Sequence, residues 1–319
     1  MSRIKAFKYN RLFNFYHSFS LTVELTTKCN LSCNICCRPN IDIPSKDMSQ
    51  FLVEKIMIDS KFLLRKKNVN FNPIGLGEPL LYTANLPEIM NLFRENYPNG
   101  RITVNTNCLL LDGSHSQMLL DSLTKENDTL ALSISASDAE SYKILNNSDK
   151  YNEVCKNVEN FLILRGLSNT PRINIRFIKC DYTDWNKFEE KWGYAVKNYS
   201  NVYLVKFPLL NWGKMKPPKT MKKRYPCLSL WSELVFDVDG NVYPCCRALE
   251  KRTKSSLFLG NITNTSIDEL YEKIGVYRKQ HLDDVYIGDC ENCDFWSEAE
   301  SINTRLIIKH LIKRLKRYV

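Results

Sequence analysis

Cys29, Cys33 and Cys36 share one short loop, spaced C-x3-C-x2-C, directly after the apolar segment Val23-Glu24-Leu25-Thr26. This feature constrains the 319-residue chain more than any other, because the loop must curl until three sulfurs serve one centre. Cysteine-rich loops of this kind hold iron–sulfur clusters. Four irons call for four ligands, so three thiolates leave one iron open to bind and reduce something else. The competing reading is zinc, which takes four ligands in a closed tetrahedron. Cys37 would then be the fourth, although adjacent cysteines rarely point at one metal.

Around that loop the chain alternates two periods. Leu21–Thr26, Val69–Gly75, Arg101–Asn105, Thr129–Ser135, Arg172–Lys179 and Val202–Leu209 are apolar, rich in Val and Ile, and end in turn signals, as strands do. Helical patterns lie between them: Ser49–Lys66, Leu86–Asn96, Ser114–Ser122, Ala139–Leu145 with Asn152–Leu164, and Asp184–Asn198. Repeated strand–helix units predict a parallel sheet with helices outside it. Six units are too few for an eight-unit barrel. Ligands of such folds sit at the carboxyl ends of the strands, which is where the motif residues fall. Gly213–Arg224, with Pro217-Pro218 and many basic residues, breaks the pattern and reads as a linker. The expected layout is an N-terminal extension (1–19), a core (20–212), the linker (213–224), a cysteine-bearing domain (225–300) and a C-terminal helix (301–319).

With Asn30-Leu31 and Ile35 at their places around the triad, the core resembles the radical S-adenosylmethionine (SAM) superfamily. The resemblance implies a partial (β/α)6 TIM-like barrel. It also implies a 4Fe–4S cluster on Cys29, Cys33 and Cys36 whose open iron chelates the SAM amino and carboxylate groups. One electron then cleaves SAM to methionine and a 5′-deoxyadenosyl radical, which abstracts hydrogen from a substrate. Gly75-Leu76-Gly77-Glu78-Pro79 resembles the family's Gly-Gly-Glu-Pro motif, with Leu76 replacing a glycine. A strand-end carboxylate and backbone carbonyls there would accept from the SAM ammonium, a donor only. Thr106-Asn107-Cys108 stands where relatives often have Thr-Asn-Gly, so Cys108 is a departure. The SAM contacts implied are Gly77, Glu78, Pro79, Asn107, Ser135, Arg176 and Ile35. For Asn107 the plain alternative is a turn; for Ser135, a hydroxyl bonded to backbone. For Arg176 it is a structural salt bridge, since a buried arginine needs a carboxylate partner.

Cys227, Cys245, Cys290 and Cys293 form a second set, C-x17-C-x44-C-x2-C, with a G-x4-C element from Gly240 to Cys245. Asp237–Asn241 reads as a hairpin turn between Glu233–Phe236 and Val242–Tyr243, and a helix is expected near Ile267–Tyr271. The region resembles the SPASM/twitch domain of radical SAM enzymes. No cysteine follows Cys293, which matches the one-cluster, twitch type. Four thiolates satisfy a whole 4Fe–4S cluster, so its expected job is electron transfer. A four-cysteine zinc ribbon is the alternative. Cys246 is a substitute for Cys245 that the G-x4-C spacing disfavours. Cys155 and Cys180 read as small apolar residues.

Charge and targeting narrow the class. Arg3, Lys5, Lys8, Arg11, Arg305, Lys309, Lys313, Arg314, Lys316 and Arg317 make up the whole net charge of +10. The body is neutral by count, and without a stacking platform of aromatics it is not built for nucleic acid. No apolar run approaches a membrane span and no signal peptide is visible, so cytoplasmic location is expected. Ile307, Ile308, Leu311, Ile312 and Leu315 recur at helical spacing. They make the C-terminal segment an amphipathic helix, packed on the barrel or lying on an anionic membrane or acidic partner. Phe13, Phe15, Tyr16 and Phe19 are expected to cover one barrel end.

The resemblance thus implies an oxidoreductase with SAM and two 4Fe–4S clusters, fed by a low-potential flavodoxin or ferredoxin. Similar twitch enzymes oxidise an alcohol carbon of an aminocyclitol. Peptide-modifying relatives often carry a peptide-recognition domain, for which this chain has no spare segment; the expected substrate is a small molecule, a saccharide or a carrier-bound group. Redox-neutral radical chemistry (epimerisation, C–C or thioether bond formation), peptide maturation and a non-enzymatic zinc module are the alternatives. The general base is not readable from sequence.

Overall fold

The computed structural model describes residues 18–65, 67–215 and 226–295. The expected C-terminal helix, most of the linker and the aromatic residues Phe13, Phe15 and Tyr16 lie outside the described residues.

Five strand–helix units and a sixth strand follow one another: β1 (Ser18–Val23), α1 (Gln50–Leu64), β2 (Asn68–Asn72), α2 (Leu86–Asn96), β3 (Arg101–Thr106), α3 (Gly113–Ser122), β4 (Thr129–Ser135), α4 (Ala139–Asn146), α5 (Tyr151–Arg165), β5 (Arg172–Lys179), α6 (Trp185–Asn198) and β6 (Val202–Pro208). Helix starts are written in short polar side chains that take otherwise orphaned backbone N–H groups. Ser49, Asn85, Asp112, Asp138 and Asp184 each accept from an N–H in the first turn. Strands β1 to β6 run parallel in sequence order, as such units require.

The second region joins the same sheet. After the short helix α7 (Ser229–Ser232), β7 (Glu233–Phe236) pairs in parallel with β1, from Ser20 opposite Glu233 to Val23 opposite Phe236. β8 (Asn241–Tyr243) and β9 (Gly260–Asn261) extend it antiparallel, giving nine strands in the order β6-β5-β4-β3-β2-β1-β7-β8-β9. Helix α8 (Ile267–Leu282) runs well past the expected Tyr271, because Leu270, Ile274 and His281 give it a buried stripe.

The two sheet faces differ. Val69, Phe71, Ile102, Val104, Leu130, Leu132, Ile173 and Ile175 are fully or almost fully buried in one apolar core with the helices. The alternate residues share the concave face by register: Ser20 and Thr22 beside Asn70 and Asn72, Thr103 beside Thr129, Asn105 beside Ala131 and Asn174, Ser133 beside Arg176. Phe19 belongs to β1 and to the apolar core, its ring 6.3 Å from that of Tyr271.

Candidate active site

The triad loop leaves the carboxyl end of β1 and is held from both sides by backbone. The Asn34 and Ile35 N–H groups donate to the Leu145 carbonyl at 2.9 and 3.3 Å, and the Asn34 amide donates to the Ile144 carbonyl at 2.8 Å. These carbonyls lie at the end of α4, where helical acceptors lack intrahelical partners. On the other side the Lys214 N–H donates to the Asn34 carbonyl at 2.8 Å. Gly213 is needed for that approach, since a Cβ there would stand 2.2 Å from the same oxygen. Gly213–Met215 therefore pack on the triad loop, although sequence places the linker's start there. Ile35 is half-buried in the loop.

Cys29, Cys33 and Cys36 are free and half-buried. Burial raises the Cys29 thiol, and burial together with the neighbouring Cys36 and Cys29 charges pushes Cys33 up to about 12. Cys36 is brought down to about 7, chiefly by a hydrogen bond from the Cys37 thiol. Cys37 is buried in a different apolar group, with Leu76, Val235, Tyr243 and Cys245, and accepts from the Trp212 indole N–H. It packs between the two cysteine regions.

The loop after β2 lies against the triad loop's stem. A Cβ on Gly77 would come within 2.2 Å of the Thr26 carbonyl, and the Glu78 N–H donates to the Lys28 carbonyl at 2.8 Å. Sequence expects the Glu78 carboxylate to face a ligand's ammonium. In the structure it is buried and occupied: it accepts from the Asn107 N–H at 2.8 Å and the Leu80 N–H at 3.3 Å. A carboxylate shut from water takes the nearest donors, here those that start the short Pro79–Leu81 helix and end β3. Desolvation nevertheless pushes it up to about 7. Asn107 passes the connection on, its amide donating to Asn30 at 2.7 Å and its oxygen accepting from Leu109 at 3.0 Å. Cys108, the departure from Thr-Asn-Gly, has φ +68, the left-handed backbone that glycine adopts at least cost.

Ser135 also has φ +68, at a break in the β4–β5 register, and is 5% exposed. Arg176 stands opposite Ser133 on the concave face, with its guanidinium 5.1 Å from the Phe207 ring centre. The structure thus gathers Gly77, Glu78, Pro79, Asn107 and the triad stem into one hydrogen-bonded group, with Ser135 and Arg176 on the next two strands.

A buried ion group behind this loop is not apparent from the chain pattern. Glu24, fully buried, accepts from the Leu76 N–H at 2.9 Å and the Val238 N–H at 3.2 Å, and pairs with Arg252 at 2.9 Å. Arg252 also reaches Asp237 at 3.3 Å, and Asp237 accepts from the Tyr243 hydroxyl at 2.8 Å. An acid inside the apolar run Val23-Glu24-Leu25 is the one sequence signal for it.

The second cysteine set surrounds a cavity. Cys227, Cys245, Cys290 and Cys293 line it with Leu230, Leu257 and His281, whereas Cys246 does not. Burial, then the Cys245 charge, pushes Cys227 up to about 12, and the same two causes raise Cys290 and Cys293. Thiols buried this close to Cys245 cannot all ionise without a cation between them, which is what a metal centre supplies. The Cys227 N–H donates to His281 Nδ1 at 3.2 Å. A single zinc holds its sulfurs about 2.3 Å from the ion, hence about 3.8 Å from each other. Among the described residues the one trio of possible donors all within 4.8 Å of one another is Glu233, Cys245 and Cys246. Neither the triad nor the four-cysteine set is that tight.

Residues 23–164 match the Radical SAM superfamily, and residues 227–294 match the SPASM iron-sulfur cluster-binding domain. No curated protein matches by sequence. Solved structures share the fold. BtrN in complex with AdoMet and 2-DOIA is 19% identical with TM-score 0.54, over 86% of this chain and 92% of that one. anSMEcpe with bound AdoMet and Cp18Cys peptide is 20% identical with TM-score 0.59, over 88% and 87%. Streptococcus suis SuiB bound to precursor peptide SuiA is 14% identical with TM-score 0.61, over 86% and 70%.

Proposed function

The chain belongs to the radical SAM superfamily and carries a SPASM iron–sulfur domain, and from that premise we propose that it is an oxidoreductase which dehydrogenates an alcohol carbon of a small molecule or saccharide. The observation that carries this reading is the placing of two different cysteine sets on one sheet. Three thiols follow β1, and four surround a cavity beside its neighbour β7. When bound, SAM and the first 4Fe–4S cluster supply the one-electron chemistry that takes a hydrogen atom from carbon, and the auxiliary cluster supplies an acceptor for the electron left behind.

The chain's own residues do the rest. Cys29, Cys33 and Cys36 would hold the first cluster, and Cys227, Cys245, Cys290 and Cys293 the second. Gly77 lets a backbone stretch approach the triad stem, leaving its carbonyls as acceptors for the SAM ammonium. Glu78 keeps Asn107 and the Pro79 turn in place, and Asn107 fixes the triad loop through Asn30. Ile35, Ser135 and Arg176 would complete the SAM contacts. The electron would come from a flavodoxin or ferredoxin in the cytoplasm, where cysteines stay reduced. Peripheral membrane contact through residues 301–319 belongs to the same reading.

The test is anaerobic reconstitution with iron analysis, beside a Cys29/Cys33/Cys36→Ala triple variant. About eight irons falling to about four is expected for two cysteine-held clusters. Incubation with SAM and reductant should then convert the substrate alcohol to a carbonyl product two hydrogens lighter, with SAM cleaved in equal amount. Zinc in place of iron, or a product of unchanged mass, would overturn the reading.

A further inference from the structure

The concave face of the sheet is polar where a parallel sheet is ordinarily apolar. Parallel strands covered on both faces read as runs of Val, Ile and Leu, and a closed barrel fills its interior with such residues. Here β2 is Asn-Val-Asn-Phe-Asn, with its valine and phenylalanine toward the helices and its asparagines on the concave face. The polarity continues sideways as a hydrogen-bonded chain. Thr103 donates its hydroxyl to the Asn70 oxygen at 2.9 Å, Asn70 donates to the Asn72 oxygen at 2.9 Å, and Asn72 donates to the Ser20 hydroxyl.

We propose that this wall recognises an uncharged, hydroxyl-rich ring, a polyol or sugar, and that Asn105 reads one of its hydroxyls. The inference rests on the reading of the strand ends as the site of reaction and names the substrate class for it. Three observations carry it. Ser20, Asn70, Thr103, Asn105, Ser133 and Asn174 are half-buried, so the wall is not sealed like the apolar face. Apart from Arg176, which the earlier reading gives to SAM, the groups of the wall are amides and hydroxyls, while Arg101 and Arg172 stand at the amino ends of their strands. The Asn105 side-chain oxygen is shut from solvent and accepts no hydrogen bond. A buried acceptor left alone is costly, so a donor arriving there is favoured.

The placing fits the chemistry. Asn105 lies two residues before Asn107, which follows the end of β3 and is tied to the triad loop. A hydroxyl held by Asn105 lies next to the strand ends where hydrogen would be taken. An amide, donor on one arm and acceptor on the other, matches a pair of neighbouring hydroxyls, each of which is both.

The test uses the reconstituted full chain with SAM present and three probes: myo-inositol, glucose and galactose. Equilibrium dialysis gives affinity, and hydrogen exchange reports protection of 68–72 and 101–106. At least one probe is expected to bind and to protect both segments. Asn105→Leu should weaken that binding about tenfold, the worth of one good hydrogen bond, with iron content and SAM binding unchanged. Asn105→Ala provides the same comparison if the leucine variant does not fold. No binding by any probe, binding that ignores both substitutions, or protection of the wall by a Ser/Thr-rich peptide instead would overturn the proposal. A wild-type chain that binds a probe on this wall but fails to bind SAM would strike the earlier reading and leave this one standing.

Discussion

The two cysteine regions are built on opposite plans. The triad loop is shaped by protein: its backbone is pinned to the end of α4 and to Lys214. Its thiols are also unequal, Cys33 pushed up and Cys36 brought down. The four-thiol set is arranged around a cavity, and Cys245 raises the other three. A prebuilt loop can leave one position of its centre open, as a site of reaction needs. A closed ring of ligands has no such position, and what it binds contributes to the fold.

The largest expected effect breaks that contrast most directly. At structural four-cysteine centres, metal binding supplies folding free energy of order ~10 kcal/mol. Cys290/Cys293→Ser should therefore lower the melting temperature of reconstituted protein far more than Cys29/Cys33→Ser, while each variant loses about half of the iron. Thermal melts with iron analysis decide it. Equal destabilisation by the two variants would mean that the triad loop, too, depends on its metal for shape.

How far the chain announces this arrangement depends on the range of each interaction. β4, β5 and α2 are legible to the residue, because strict apolar patterning and local caps define them. β1 ends at Val23 rather than at the expected Thr26. The next residues leave β1's ladder with β2: the Glu24 N–H donates to Phe236, Leu25 accepts from Met48, and Thr27 donates to Lys46. The cysteines are legible as two sets because spacing carries their meaning. The role of Glu78 is legible only in part, since sequence shows a carboxylate at a strand end but not the two N–H groups that occupy it. The Glu24–Arg252 pair spans 228 positions, and no local pattern announces it. The alternating asparagines of β2 tell which face is polar, not what that face meets.

That long-range pair gives the next prediction, which asks whether the two regions fold separately at all. Glu24 ties the loop at Leu76 to Val238 and Arg252, so removing it leaves a guanidinium largely shut from water with only the longer contact to Asp237, at 3.3 Å. Breaking a buried pair from one side costs about 3–5 kcal/mol. Glu24→Ala should lower stability by that amount in urea unfolding, with a single transition, and Glu24→Gln by less, since the amide still accepts. A loss below about 1 kcal/mol in Glu24→Ala would show two independently stable regions joined only by strand pairing.

The smallest effect sharpens the contrast within the first region, because Glu78 is a group that burial, not a metal, has shifted. Its usual value is 4.5, and in the folded chain it is pushed up to about 7. The folded state therefore holds its proton more tightly than the unfolded state. That favours folding fully below pH 4.5 and is lost progressively as the pH rises to about 7. The difference corresponds to at most about 3 kcal/mol. Glu78→Gln cannot titrate, so the stability gap between wild type and variant should move against the wild type between pH 5 and 7 and stay level above it. Urea unfolding of cluster-free protein across that range measures the gap without interference from iron. A gap that does not change with pH would mean that the Asn107 and Leu80 N–H groups outweigh desolvation and keep the carboxylate ionised. Glu78 would then be a fixed negative charge beneath the triad stem, better suited to drawing a cation toward the strand ends than to bracing the loop alone.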